Sequence, residues 1–155
     1  MMEIADLITP HSIVPNLRVA NKKQLLQELA RRAAPLSGLA ERTILESLTE
    51  RERLGSTGIG GGTAVPHGRL PNLPRIVGLF TRLEKPIAFE AVDDQPVDLV
   101  FLLLTPDNAG ADHLKALARI SRLLRDRPMC AKLRGTDQAD ALYALLTDRT
   151  ASHAA

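Results

Sequence analysis

The chain has 155 residues, of which 45% are hydrophobic, and its formal net charge is +2 with an isoelectric point of about 9.0. This length predicts one domain that buries about 70% of the surface its unfolded chain exposes. The weakly basic charge and the presence of only four aromatic residues (Phe80, Phe89, Phe101 and Tyr143) argue against a nucleic-acid-binding protein, which needs a strong positive field and side chains for stacking.

Cysteine usage and hydropathy argue against disulfide-linked, zinc-binding, secreted and membrane-spanning proteins. Cys130 is the only cysteine, so neither an internal disulfide nor a cysteine-based zinc site is possible, and we interpret it as a small structural apolar residue. The N-terminus lacks the basic start and long apolar run of a secretory signal. The longest apolar run, Leu99 to Leu104, is far shorter than the ~20 residues that span a bilayer. We therefore expect a cytoplasmic protein without direct membrane insertion.

The first third of the chain predicts one strand and two helices. Ile13-Val14 is expected to form the strand, closed by Pro15-Asn16. Asn21 with Gln24 has the spacing of a capping box, and the helix that follows is expected to break at Pro35 and Gly38. A second helix is predicted from about Leu39 to Leu54. The residues with helical apolar spacing are Leu25, Leu26, Leu29, Ala30 and Ala33 in the first helix and Ile44, Leu45 and Leu48 in the second.

Residues 51–69, RERLGSTGIGGGTAVPHGR, are the most informative segment. Thr63-Ala64-Val65 has the size of a short strand, and Pro66 is expected to end its pairing because proline has no N–H to donate. Gly68 is expected to remove side-chain bulk beside the imidazole of His67. A histidine on such a stiff backbone is suited to carrying a chemical group, with a buried structural histidine as the alternative.

The second half predicts two strands and three helices. The strands cover Ile76 to Leu83 and Val97 to Leu104, and the second is almost entirely apolar, as in a central strand covered on both faces. A loop follows at 106–110. The first of these helices is expected to begin near Asp112, and its inward residues are Leu114, Leu117, Ile120 and Leu124. The second is expected to have Pro128 as its first residue. The third is expected to begin at Asp137, with Thr136 as its cap. The class is α/β, a single domain with a mixed central β-sheet flanked by helices on both sides.

Several common site types do not fit the glycine segment. A phosphate-binding P-loop needs Lys and then Ser or Thr after its last glycine, but Thr63-Ala64 follows Gly62. The dinucleotide fingerprint needs a small residue where Thr63 stands, and a strand where the sequence predicts a helix. Ser56 lacks the setting of a serine nucleophile. The remaining use of the glycines is conformational: positive φ angles and the close approach of another backbone, including that of a partner protein.

The other histidines and the acidic pairs do not predict a metal site. His113 lies in the first turn of the third helix, on the side of its apolar residues, and by itself fits a packed histidine. His11 is expected in a surface loop and His153 in an inert tail. Asp93-Asp94 fits a turn, and neither His67 nor His113 has the additional spaced ligands that a metal needs.

Two groups of arginines have two interpretations each. Arg51 and Arg53 end the second helix, where cations are favoured by the helix dipole, but Arg51 can also fold over the glycine turn toward His67. Arg119, Arg122 and Arg125 lie near one face of the third helix. They form either a solvated face or a docking patch for an acidic partner.

Three motifs in order carry a family resemblance: GSTGIGGGTAVPHGR at 55–69, IAFEAVDDQPVDLVFLLLTP at 87–106 and HLKALA at 113–118. From about residue 5 to residue 147 the chain resembles the enzyme IIA domains of the fructose/mannitol phosphotransferase family. It is most similar to the stand-alone nitrogen-regulatory type, because of the PIAFEAVDDQPVDL stretch and the lack of an attached sugar-transport domain. We accordingly expect a type-2 enzyme IIA domain at 1–148 and a flexible tail at 149–155.

The resemblance implies a phosphoryl carrier, a phosphotransferase with a mainly regulatory role and no cofactor. His67 falls on the phosphorylated histidine of the family, His113 on its second active-site histidine and Arg51 on its active-site arginine. Gly61 departs from the family, which often has Asn there. The expected contacts with phosphate or a partner come from the preceding turn, at Gly55, Ser56, Thr57, Gly58, Gly60 and Gly62.

The implied partners are a histidine phosphocarrier protein of the nitrogen type and regulatory targets such as sensor kinases or potassium transport components. One alternative is a sugar-specific enzyme IIA that passes phosphate to a fructose or mannitol permease. Another alternative, from a different class, is a binding module in which His67 is never modified.

Overall fold

A computed structural model describes residues 2–148. They form six strands and five α-helices, besides short 3-10 turns at Ile4–Asp6 and Pro10–Ser12. The strands are β1 (Ile13–Leu17), β2 (Gly58–Gly60), β3 (Thr63–Ala64), β4 (His67–Leu70), β5 (Val77–Ile87) and β6 (Val97–Pro106). The helices are α1 (Lys22–Ser37), α2 (Glu41–Arg53), α3 (Ala111–Arg125), α4 (Arg127–Arg134) and α5 (Ala139–Thr147).

The strands form one mixed sheet in the order β1-β5-β6-β3-β2, with β4 also paired to β6. β5 and β6 are antiparallel, β1 is parallel to β5, and both β3 and β4 are parallel to β6. Strand β6 therefore lies between β5 on one side and β3 and β4 on the other, which confirms its predicted central position.

Strands β3 and β4 are two parts of one path along β6. Ala64 pairs with Val100 and His67 with Leu103, so the register does not change between them. The carbonyl of Pro66 accepts a hydrogen bond from the N–H of Leu103 at 3.0 Å. The prediction that pairing ends at Pro66 is therefore wrong: proline removes only its own donor, and the strand resumes at His67.

Helices cover both faces of the sheet, as predicted. Alternate residues of β6 separate the two cores: Val100, Leu102 and Leu104 pack with α1 and α2. Leu99, Phe101 and Leu103 pack with α3, α4 and α5. The single α/β domain is thus a three-layer arrangement in which each face of the sheet has its own apolar core.

The structure corrects the predicted ends of β1 and α1. β1 continues through Pro15 to Leu17, because it lies at the sheet edge, where a missing N–H costs little. Helix α1 includes Pro35 and ends one turn later at Gly38, whose φ of 76° is left-handed and whose N–H donates to Ala34. Asn21 accepts from the N–H of Gln24 as expected, but the Gln24 side chain accepts from Ala20 rather than closing the capping box.

The starts of the last helices also differ from the prediction. Helix α4 begins at Arg127, so that Pro128 is its second residue, and Asp126 caps it by accepting from the N–H of Met129. Helix α5 begins at Ala139, since Thr136 accepts from the N–H of Gln138 in a turn before the helix. The expected tail at 149–155 and His153 lie outside the described residues.

Helix α3 turns Leu117, Ile120 and Leu124 toward the core as predicted, but not Leu114. Leu114 is 64% exposed, whereas its neighbour His113 is buried at the start of the stripe that continues through Ala116, Ile120 and Leu124. A step of one residue rotates a side chain by about 100° around a helix, which places Leu114 in solvent. Within residues 2–148, no helix is long and apolar enough to cross a membrane.

Candidate active site

His67 is the first residue of β4, and its ring is held by the strand that precedes it. The Nδ1 atom lies 2.8 Å from the carbonyl oxygen of Val65. A carbonyl oxygen can only accept, so Nδ1 carries the proton and Nε2 carries the lone pair. Side chains alternate along a strand, which places Arg69 on the same face of β4 as His67.

Gly68 points to the other face and does not act where the sequence suggested. A Cβ atom at this position would collide with the hydroxyl of Ser47 in α2. The glycine therefore permits close packing of β4 on α2 instead of clearing space beside the imidazole.

Arg51 reaches His67 from the last turn of α2, which lies with α1 on one face of the sheet. Its Nε donates to the Nε2 atom of His67 at 3.2 Å, and its Nη1 donates to the carbonyl of Gly55 at 2.8 Å. The second bond fixes the guanidinium over the glycine turn just after α2. The structure thus brings Arg51 to His67, while Arg53 turns away and pairs with Glu50 at 3.0 Å.

His113 approaches His67 from the first turn of α3. The two ring centroids lie 5.6 Å apart with an interplanar angle of 59°. His113 is only 5% exposed, and its Nδ1 lies 2.6 Å from the hydroxyl of Thr105 at the end of β6. The three residues that the family resemblance implied therefore converge in one place.

Both imidazoles are held neutral near pH 7. Burial lowers the pKa of His67; the carbonyl of Val65 and the carboxylate of Glu52 oppose this effect, and the positive charges of Arg51 and Arg69 reinforce it. Burial, with the charges of Arg69 and His67, lowers the pKa of His113 to about 4. A neutral imidazole has one nitrogen lone pair and one N–H, so the pair can supply a nucleophile and a hydrogen-bond donor.

The glycine turn is a supported structure rather than a flat surface. Gly60, Gly61 and Gly62 all have positive φ, at 102°, 67° and 80°. The N–H of Gly61 donates to Asp93 at 3.0 Å, and its carbonyl accepts from Arg134 at 2.8 Å. Asp93 therefore supports the glycine turn in addition to its own turn. Nothing lies within 4 Å of a Cβ added at Gly61, so the space beside this glycine is open.

The residues before this turn make internal contacts. Ser56 donates to the carbonyl of Phe89 at 2.8 Å, and Thr57 donates its hydroxyl to Glu52, which also pairs with Lys22 at 2.9 Å. Gly58 permits the close approach of another backbone, since an added Cβ would lie 2.7 Å from that of Ala91.

Of the six turn residues predicted to bind phosphate or a partner, only Gly55 makes a hydrogen bond with Arg51, His67 or His113 among the described residues. A binding role for Gly55, Ser56, Thr57, Gly58, Gly60 and Gly62 stays a prediction.

The other residues considered in the sequence analysis lie apart from Arg51, His67 and His113. Arg119 pairs with Glu3 at 3.1 Å, which contradicts a freely solvated arginine face, whereas Arg122 and Arg125 are exposed. His11 is exposed, as expected, and Cys130 is buried, as expected. Across residues 2–148, no three His, Cys, Asp or Glu side chains are grouped closely enough to hold a metal ion.

Sequence reasoning missed two residues of this site. Arg69 lies two positions after His67, a spacing that by itself indicates a shared face on any strand. Thr105 ends the apolar run of β6 eight residues before His113, and no local pattern links the two. Strand periodicity could have found the first; only the packing of α3 on β6 reveals the second.

Comparisons with known proteins agree on one family. The family model described as phosphoenolpyruvate-dependent sugar phosphotransferase system, EIIA 2, matches residues 6–149. A nitrogen regulatory protein of Bradyrhizobium diazoefficiens is 59% identical over 145 residues, which cover 94% of this chain and 95% of that protein. A nitrogen regulatory protein of Escherichia coli is 36% identical over 95% of this chain and 91% of its own length.

A solved structure is similar along nearly the whole chain. The crystal structure of nitrogen regulatory protein IIA-Ntr from Neisseria meningitidis has a TM-score of 0.88 and 35% identity, covering 93% of this chain and 99% of that one. The match of the family model to almost every described residue, together with these relatives, establishes the family. The chain belongs to the type-2 enzyme IIA family of the phosphotransferase system, whose members exchange phosphoryl groups with phosphocarrier proteins.

Proposed function

We propose that this protein is a phosphoryl acceptor and carrier of the nitrogen-type phosphotransferase system, and that Nε2 of His67 is the atom that accepts the phosphoryl group. One observation carries the proposal: Nε2 of His67 carries the lone pair and lies 3.2 Å from Nε of Arg51, and the ring of His113 lies 5.6 Å from the ring of His67, measured between centroids. A neutral nucleophile beside a guanidinium and a second imidazole suits phosphoryl transfer between proteins.

The transfer exchanges one nitrogen–phosphorus bond for another. The Nε2 lone pair of His67 attacks phosphorus in line, the bond to the phosphocarrier's histidine breaks, and its electron pair returns to that nitrogen. Nδ1 keeps its proton throughout and donates it in a hydrogen bond to the carbonyl of Val65, which stabilises the positive charge that the ring gains on phosphorylation. No proton has to leave His67, so the step needs no separate general base.

The surrounding groups would stabilise the phosphoryl oxygens. In a loose transition state, charge lies on three equatorial oxygens, which need donors around an open axis. Arg51 donates to the Nε2 lone pair through a 3.2 Å bond, and its Nε must move to an oxygen when phosphorus arrives. The Nη1 bond to Gly55 keeps the guanidinium in place during that change. His113 and Arg69 supply a further donor and a further positive charge near His67.

A regulatory role follows from the charge that phosphate adds. A phosphoryl group contributes a charge of about −1.5 to −2. Leu54, 84% exposed, lies beside the Arg51 end of α2, and Leu114, 64% exposed, lies beside His113. A partner that docks against these apolar side chains would distinguish the modified from the unmodified protein, which is a switch between two binding states. We expect targets such as sensor kinases or potassium transport components, in the cytoplasm.

The relatives favour regulation over sugar transport. The Bradyrhizobium and Escherichia relatives are named nitrogen regulatory proteins and match this chain along 95% and 91% of their own length. They support a nitrogen-type phosphocarrier as the donor. Delivery of phosphate to a fructose or mannitol permease remains the alternative, and competition between purified phosphocarriers of the two types would distinguish them by rate.

The decisive test is labelling with purified phosphocarrier, followed by mass spectrometry at alkaline pH, where phosphohistidine survives. We expect one phosphoryl group on the peptide containing His67 and none in His67→Ala. His11→Ala is the matched control, because that histidine is exposed and lies in a separate turn. Labelling of His67→Ala at the wild-type level would remove the assignment, and an unlabelled wild type would favour a binding module that is never modified.

A further inference from the structure

Thr105 is a buried hydroxyl residue whose contact at the site is with His113. It is the second-last residue of β6, is fully buried, and faces the α3 layer. Its Oγ1 atom lies 2.6 Å from Nδ1 of His113, and no other hydrogen bond of this hydroxyl is made within residues 2–148. A contact this short between a hydroxyl and an imidazole is a hydrogen bond in one of two directions.

The two directions leave different atoms satisfied. If Nδ1–H donated to Thr105, the hydroxyl hydrogen would have no acceptor in a buried place, at a cost that proteins generally avoid. If the hydroxyl donates to Nδ1, both atoms are satisfied and the ring proton lies on Nε2. The Nε2 atom has no partner among the described residues and is not one of their buried unpaired polar atoms, so it is accessible at the site.

We propose that Thr105 is a positioning residue: its hydroxyl donates to Nδ1 of His113 and fixes that ring as an Nε2–H donor toward the phosphoryl group on His67. The inference rests on the proposed function for its consequence, but its geometry belongs to the unphosphorylated protein. His67 and His113 are thereby set in opposite tautomers, one by a backbone acceptor and the other by a side-chain donor.

The chain contains a matched control for this residue. Thr81 in β5, the strand next to β6, is also fully buried, and its Oγ1 has no hydrogen-bond partner within residues 2–148. A Thr→Val substitution at either position replaces a hydroxyl with a methyl group of similar size. Only at Thr105 does it remove a hydrogen bond from the site.

The first measurement is the tautomer of His113 in the unphosphorylated wild type, read from long-range proton–nitrogen NMR spectra. We expect the proton on Nε2 of His113 and on Nδ1 of His67. In Thr105→Val we expect the His113 nitrogen shifts to move toward those of a tautomer mixture, with His67 unchanged. A wild-type proton on Nδ1 of His113 would overturn the proposal, and this result does not depend on whether the protein is ever phosphorylated.

The second measurement is the rate of transfer from purified phosphocarrier to His67. Loss of one hydrogen bond that orients a donor should slow Thr105→Val about tenfold. Thr105→Ser, which keeps the hydroxyl, should stay within about twofold of wild type, as should Thr81→Val. A Thr105→Val protein that transfers at the wild-type rate, or a Thr105→Ser protein as slow as the valine variant, contradicts the proposal. Failure to label the wild type contradicts the proposed function instead.

Discussion

His67 and His113 have the same side chain, but the chain holds them in different ways. The ring of His67 stays partly exposed on a strand and has a backbone carbonyl 2.8 Å from Nδ1. The ring of His113 is almost completely buried on a helix and has a hydroxyl 2.6 Å from Nδ1. A carbonyl oxygen can only accept a hydrogen bond, whereas a hydroxyl can also donate one. The partner of Nδ1, and not the residue type, decides which imidazole offers a lone pair and which can offer an N–H.

The largest expected effect is on the rate of phosphoryl transfer, and it distinguishes the proposed acceptor, His67, from His113, which is proposed to assist the transfer. His113→Ala should slow phosphoryl transfer to His67 about 100-fold, because it removes a donor that acts on the developing charge, but His67 should still become fully modified at long times. Rapid-quench kinetics with purified phosphocarrier measure the rate and the end point together. Wild-type rates in both directions would mean that His113 only packs.

The strand that holds His67 can be disturbed without touching α3. Gly68→Ala should lower the free energy of unfolding by about 2 kcal/mol, because the added methyl collides with Ser47. Urea denaturation measures the change. Adding Ser47→Ala should restore part of the loss, and Gly135→Ala is a matched control, since its nearest neighbours would lie at 3.4 Å. Equal losses for Gly68→Ala and Gly135→Ala would mean that the close packing of β4 on α2 is unimportant.

The buried histidine should make the fold sensitive to mild acid. Burial lowers the pKa of His113 to about 4 from its ordinary 6.5, so the unfolded chain binds a proton at a higher pH than the folded one. The free energy of unfolding should therefore fall by about 1.5 kcal/mol between pH 6.5 and pH 5 through this residue alone. Denaturation of wild type and His113→Gln at both pH values isolates the contribution. The same dependence in both proteins would exclude His113 as its source.

The guanidinium beside His67 should be sensitive to shape as well as charge. Arg51→Lys keeps a positive charge but has a single ammonium group, which cannot contact Gly55 and His67 through two separate nitrogens. We expect transfer to slow about tenfold, with Arg53→Lys as the control because Arg53 pairs with Glu50 away from the site. Equal rates for the two lysine variants would show that Arg51 acts only through its charge.

The smallest expected effect concerns the positive charge of Arg69, which acts on both imidazole rings. The guanidinium of Arg69 lowers the pKa of both histidines, in each case less than burial does. Arg69→Gln should raise both pKa values slightly, and NMR titration of the ring protons measures the two shifts separately. A rise at only one of the rings would mean that Arg69 lies too far from the other to affect it.

Much of the fold could be predicted because it depends on local patterns. The apolar run of β6 marked it as a central strand, and apolar spacing marked α1 and α2 close to their observed bounds. Predictions failed where tertiary contacts decide. The continuation of pairing past Pro66 depends on a register that β6 imposes, and the exposure of Leu114 depends on which stripe of α3 meets the sheet.

The sequence by itself determined that His67 follows a rigid Pro66, that the preceding turn needs glycine, and that the spaced motifs resemble one family. It did so because turn chemistry and motif spacing are properties of neighbouring residues. Only the tertiary structure decided that Arg51 crosses from the α2 layer, that His113 comes within 5.6 Å, and that Thr105 lies behind it. These contacts join residues from separate elements, and the packing of two helical layers on one sheet sets their distances.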